Sequence, residues 1–150
     1  MFFKLQNVFN YILNADVFWL NGPTMALGRM IEQWDESIMD VLLLLHSTVE
    51  AYGYNGYGDF GIDASGKLSR RLEREITPYL FTGIQIIHPR IFRDISPGKF
   101  SLNIIYDKAI DIEHLYGVVH DGEWFHIGTP QGLAEAETFM GQRFSGKRHR

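Results

Sequence analysis

The chain has 150 residues, 45% of them hydrophobic and 14% aromatic, with no cysteine and a formal net charge of −4. Without cysteine there are no disulfides and no thiolate metal sites, which fits a reducing, cytoplasmic setting. The negative balance offers no general field for polyanions, so nucleic acid is not an expected partner. The longest strongly apolar stretch, Val41-Leu42-Leu43-Leu44-Leu45, is far too short to span a bilayer, so no membrane partner is expected either.

The apolar N-terminus is interrupted by Gln6, Asn7 and Asn10, and no small-x-small cleavage site follows, so it does not read as a signal peptide. Residues 8–13 read as a buried strand stopped by Asn14-Ala15-Asp16. Pro23 suits a first helical turn, and Met25, Leu27, Met30, Ile31 and Trp34 follow at helical spacing, predicting an amphipathic helix to about Trp34. Residues 39–45 read as a strand covered on both faces.

The aromatic-glycine stretch from Tyr52 to Gly61 signals turns and short hairpins, with tyrosines packing across strands or stacking on a ligand. Asp63-Ala64-Ser65-Gly66 is a further turn, leading into a charged run over residues 67–75. Residues 79–87 form a second strong strand, whose interior Gly83 suggests close approach by a ligand or another backbone. His88 and Pro89 open a short helix, and Ser101 is the expected N-cap of a helix carrying Leu102, Ile105, Ala109 and Ile110. Residues 114–120 and 123–127 read as two strands around an Asp121-Gly122 turn. Pro130 then starts a last helix, and Lys147-Arg148-His149-Arg150 belongs to a flexible, solvated basic tail at 145–150. No linker or internal repeat divides the chain, so 1–150 reads as one α/β domain.

Two segments carry chemistry. Asp16 follows the end of an expected strand, where ligands gather in open α/β sheets, and Asn14 beside it can hydrogen-bond a sugar or phosphate. A turn or cap explains Asn-Ala-Asp equally well. In Gly128-Thr129-Pro130, backbone N–H groups and a hydroxyl stand at a helix start, which is a natural anion site. An N-cap threonine with proline at the first helical position explains Thr129-Pro130 completely. His126, at the preceding strand end, can bind metal or move a proton.

Four stretches in this order, Leu13-Asn14-Ala15-Asp16, Gly58-Asp59-Phe60, Phe81-Thr82-Gly83-Ile84-Gln85-Ile86-Ile87-His88-Pro89 and Glu123-Trp124-Phe125-His126-Ile127-Gly128-Thr129-Pro130, resemble the sugar-1-phosphate nucleotidyltransferases. The branch is that of N-acetylmuramate-1-phosphate uridylyltransferases and mannose-1-phosphate guanylyltransferase-like proteins. The resemblance implies a three-layer, Rossmann-like α/β fold with a mixed, mostly parallel sheet, incomplete at its N-terminal side. It implies transfer of a nucleoside monophosphate from a nucleoside triphosphate to a sugar 1-phosphate, with release of pyrophosphate.

By the same resemblance, Mg2+ (or Mn2+) is held by catalytic Asp16 and by the residue at His126, where many members carry aspartate. Gly58, Thr82 and Gly83 line the sugar side, and Glu75 stands in for a Glu-Lys pair without a clean match in Arg70-Arg71-Leu72-Glu73-Arg74-Glu75. The family's Gly-rich phosphate loop, with its arginine and downstream Pro-Lys, has no counterpart in residues 1–150. Negligible turnover by this polypeptide alone is therefore expected. So is an exposed sheet edge at residues 8–13, open to a complementing N-terminal half or to a homo-oligomer. Two other readings remain: a non-catalytic sugar-phosphate-binding or subunit-interaction module, and a histidine metal site using His114, His120 and His126 with Asp121 and Glu123.

Overall fold

The computed structural model describes residues 9–145; Val8 and the basic stretch Lys147-Arg148-His149-Arg150 lie outside the described residues. In chain order the elements are β1 (Asn10–Leu13), β2 (Val17–Leu20), α1 (Ala26–Gln33), β3 (Val41–Ser47), β4 (Phe60–Ile62), β5 (Leu68–Arg70) and β6 (Tyr79–Ile87). A 3-10 turn (Pro89–Phe92) follows, then α2 (Asn103–Asp111), β7 (Leu115–Val119), β8 (Glu123–His126) and α3 (Pro130–Phe144).

β3 is the centre of the molecule because its sequence has no polar face. Val41, Leu43 and Leu45 pack with Ile105, Tyr106 and Ala109 of α2 on one side of the sheet. Leu42 and Leu44 pack with Ala26 and Met30 of α1 on the other. Alternate residues of a strand point to opposite faces, so an unbroken apolar run is what a strand between two helical layers requires. Each fully buried leucine contributes about 1.5–3 kcal/mol, which makes this strand the main source of cohesion.

The main sheet has the order β5-β4-β6-β3-β7, with β1 paired to β6 beside that path. It is mixed, as expected, but mostly antiparallel rather than mostly parallel. Only β3 and β7 run parallel, while β1, β3 and β4 all pair antiparallel with β6. β1 is likewise not a buried strand. Its four residues are half-buried or exposed, and its outer edge has no strand partner among the described residues.

Further differences concern local signals. Pro23 precedes α1 instead of opening it, and the Asn21 Oδ1 atom accepts the Ala26 N–H at 2.9 Å. α2 begins at Asn103, two residues after Ser101, whose Oγ still accepts the Asn103 N–H at 3.2 Å. Residues 114–127 are not a hairpin: β7 lies in the main sheet, while β8 leaves it to pair with β2. The β2–β8 ribbon is held by α3, where Phe139 meets Phe125 edge-on at 5.1 Å and Phe125 stacks on Tyr52 at 4.5 Å.

The structural reading of Thr129-Pro130 holds. Thr129 is the N-cap of α3, its hydroxyl accepting the Gly132 N–H at 3.1 Å, and Pro130 is the first helical residue. Thr129→Ala is expected to cost about 1 kcal/mol in chemical denaturation, because one orphan N–H at the helix start loses its acceptor.

Candidate functional site

The site forms where β6 bulges. Leu43 faces Gln85 and Leu45 faces Phe81, so Leu44 alone opposes three residues, Thr82, Gly83 and Ile84. The bulge is stabilised by side chains in place of ladder bonds. The Thr82 hydroxyl donates to the Leu44 carbonyl at 2.7 Å, and the Trp124 indole N–H donates to the Thr82 carbonyl at 3.0 Å. Gly83 adopts φ +86°, and a Cβ on it would lie 2.8 Å from the Asn14 Cβ. The Asn14 N–H in turn donates to the Gly83 carbonyl at 2.9 Å, which draws the end of β1 onto the bulge.

Asp16 is brought to the same place by the β2–β8 ribbon. Val17 pairs with His126, and the Ile127 N–H donates to the Asp16 carbonyl at 2.9 Å. A Cβ on Gly128 would lie 2.9 Å from His126 Cε1 and 3.2 Å from Asp16 Oδ2, so the two side chains border one small volume over this glycine. The imidazole stacks on Trp124, with ring centres 6.4 Å apart and planes 14° from parallel. Neither the Asp16 carboxylate nor the His126 ring is hydrogen-bonded to another described residue, so both are available to a ligand.

Asn14, Asp16, Thr82, Gly83 and His126 thus line one cleft of about 220 Å³, together with Val17, Tyr54, Phe81 and Trp124. Thr82 contributes backbone and shape; its hydroxyl is fully buried and committed to Leu44. Gly58 and Glu75 do not line the cleft. Gly58, at φ +81°, packs against Thr77, whose carbonyl oxygen would lie 2.3 Å from an added Cβ. Its glycine is therefore explained by backbone packing. Glu75 is exposed in a loop, and its carbonyl accepts from Arg71 at 3.1 Å.

Tyr54 and Trp124 were not expected here as lining residues. The aromatic-glycine stretch allowed a stacking role, and Tyr54 lies edge-on to Trp124 while its hydroxyl accepts the Gly58 N–H at 3.0 Å. Burial raises the Tyr54 phenol above its ordinary value, so it remains protonated.

The three histidines have separate surroundings. His114 lies beside Asp40 at 3.3 Å, His120 packs against His46 and His126 borders Asp16. Among the described residues, no group of three or more His, Asp and Glu side chains is placed to hold a metal ion.

A larger cleft of about 720 Å³ lies at the other end of the β2–β8 ribbon, bordered by His46, His120, Asp121, Glu123 and Arg143. Burial holds the His120 pKa below the ordinary histidine value, against the pull of the Glu123 carbonyl, and nearby His46 lowers it further. A lowered folded-state pKa means that the unfolded chain binds the proton more readily. The contribution to stability is complete above about pH 6.5 and is lost as pH falls toward the folded-state value. Thermal unfolding between about pH 7 and pH 5 should show a smaller acid-induced fall for His120→Asn than for the parent chain. An equal fall in both would refute this assignment.

The fold is that of nucleotidyltransferases. It matches the UTP-bound UGPase of Acinetobacter baumannii with a TM-score of 0.69 at 15% identity, over 92% of this chain and 52% of that one. It also matches HddC of Yersinia pseudotuberculosis complexed with GMP-PN, with a TM-score of 0.62 at 18% identity, over 87% and 55% of the two chains.

In sequence the chain is similar to the N-acetylmuramate alpha-1-phosphate uridylyltransferase of Caulobacter vibrioides, at 31% identity over 132 residues. The match takes in 88% of this chain and 54% of that protein, so the chain spans about half the length of its curated relative. This similarity agrees with the resemblance to sugar-1-phosphate nucleotidyltransferases read from the sequence. No protein-family model matches the chain.

Proposed function

We propose that this chain provides the sugar-phosphate and metal side of a cytoplasmic nucleotidyltransferase that joins a nucleoside monophosphate to a sugar 1-phosphate and releases pyrophosphate. The observation that carries the reading is the convergence of Asp16 and His126 over Gly128, beside the Gly83 bulge. The similarity to a sugar-1-phosphate uridylyltransferase supports the reaction class.

A divalent cation, Mg2+ or Mn2+, fits this donor set. One carboxylate and one imidazole are free of hydrogen bonds to described residues at a glycine that leaves room, and oxygen ligands from outside the chain would be needed beside them. When bound, it would neutralise charge on the phosphates. Asp16 and His126 would hold it. The Asn14 side chain, exposed at the rim, hydrogen-bonds the sugar phosphate, and Gly83 keeps the cleft wall low enough for the sugar to approach. Tyr54 and Trp124 supply apolar walls that orient the sugar ring. The work of the chain is positioning, since in-line transfer at phosphorus asks little covalent chemistry of the protein.

On this reading the phosphate-cradling loop comes from the half of the relatives that this chain does not match. That half packs beside β1, whose outer edge is without a strand partner among the described residues. The chain alone then binds sugar phosphate but turns over negligibly.

The test is a thermal-shift series on the purified chain with α-D-glucose 1-phosphate, with UTP, and with each plus Mn2+. Stabilisation by the sugar phosphate that depends on metal is expected, with none from UTP alone. The opposite pattern would overturn the assignment of sides, and no shift with any ligand would overturn the site.

A further inference from the structure

We infer that His126 sets the metal preference of this site, selecting Mn2+ or Co2+ over Mg2+. The inference rests on the proposed reading of Asp16 and His126 as metal ligands and goes beyond it in assigning His126 the choice of ion.

The argument starts from the donor atoms. Mg2+ demands near-octahedral oxygen coordination and sheds water reluctantly, whereas imidazole nitrogen is a good ligand for first-row transition ions. A carboxylate pair would leave the two kinds of ion nearly equivalent. Here the carboxylate beside Gly128 is that of Asp16, and the side chain facing it is an imidazole.

The geometry keeps that imidazole in play. Cε1 is the ring atom nearest the point where a Gly128 Cβ would stand, at 2.9 Å, and both ring nitrogens are bonded to it. Stacking on Trp124 limits the tilt of the ring, and the Trp124 indole is itself tied to the Thr82 carbonyl at 3.0 Å. Neither ring nitrogen is engaged by another described residue. No other His, Asp or Glu among the described residues joins the pair, so no further carboxylate offsets the imidazole's preference.

Co2+ is the probe, with its visible absorption and the paramagnetic shift of the His126 ring protons as readouts, and Mg2+ as competitor. For the parent chain, displacing Co2+ is expected to need about tenfold more Mg2+ than Co2+ present. In His126→Asp the ratio should fall toward one, and in Asp16→Asn neither ion should bind.

Equal competition by Mg2+ in the parent chain, or an unchanged ratio in His126→Asp, would overturn the metal preference while leaving Asp16 in place. Co2+ binding that ignores both substitutions, or no Co2+ binding in the parent chain, would overturn this inference and the proposed site together. Thermal unfolding of each variant without metal shows whether it is folded, and His126→Gln, which keeps a polar side chain without the imidazole, should lose the preference as well.

Discussion

Gly83→Ala is expected to destabilise the protein by about 2–4 kcal/mol and to empty the cleft of ligand at the same time. The left-handed conformation at φ +86° costs a side-chain-bearing residue about 1–2 kcal/mol. The added methyl also meets Asn14, with Cβ at 2.8 Å and Cγ and Nδ2 at 2.9 Å, so the end of β1 must retreat. Retreat strains the Asn14 N–H bond to the Gly83 carbonyl and displaces Asn14 two residues before Asp16.

For a chain of this size the fall in Tm should be roughly 5–15 °C. Gly141→Ala is the internal control. Gly141 lies in α3 with nothing within 4 Å of an added Cβ, and alanine there should raise stability by up to about 1 kcal/mol. If Gly83→Ala proved as benign as Gly141→Ala, the bulge could not be the rigid wall described above.

Asp16→Asn is the second large effect, and it should separate ligand binding from folding. Asp16 is exposed and its carboxylate makes no hydrogen bond to a described residue, so the unliganded variant should unfold with the parent chain. Ligand at about a hundred times its Kd would stabilise the parent by about 2.7 kcal/mol, and the amide should abolish nearly all of this metal-dependent gain. Gly128→Ala should reproduce much of the loss without replacing a ligating residue, because its methyl would occupy the volume between His126 and Asp16. A full thermal shift by sugar phosphate and Mn2+ in Asp16→Asn would remove Asp16 from the metal site.

The parts of the fold legible in the sequence are those whose signals are local. β6 spans 79–87 as predicted, since a bounded apolar run reads as a strand without knowledge of its neighbours. Thr129 and Pro130 cap α3 because both act on the backbone next to them. The Asp121-Gly122 turn misled for the same reason. It is a sound hairpin signal, but the strand that pairs with β8 is β2, more than 100 residues earlier. Val17–Leu20 carried little signal of its own, being only four apolar residues after the turn at Ala15-Asp16.

The site divides along the same line. Asp16 and His126 were legible as chemical groups at strand ends, and Asn14, Thr82 and Gly83 from their motifs. Gly58 and Glu75 came from motifs alone and do not line the cleft. Tyr54 and Trp124 do line it, and nothing in their immediate neighbours marks them as walls of one cavity.

The order of residues by itself determined the strand at 79–87 and the helix opened by Thr129-Pro130, that Val41–Leu45 is covered on both faces, and which polar groups stand at strand ends. Backbone preference and hydrophobic period act over a few neighbours and need no partner. Only the tertiary structure decided that β6 receives its neighbours antiparallel, that β8 leaves the main sheet for β2, and that residue 16 thereby meets residue 126. Strand pairing is a choice among distant N–H and C=O groups of nearly equal strength, and packing of the whole core makes that choice.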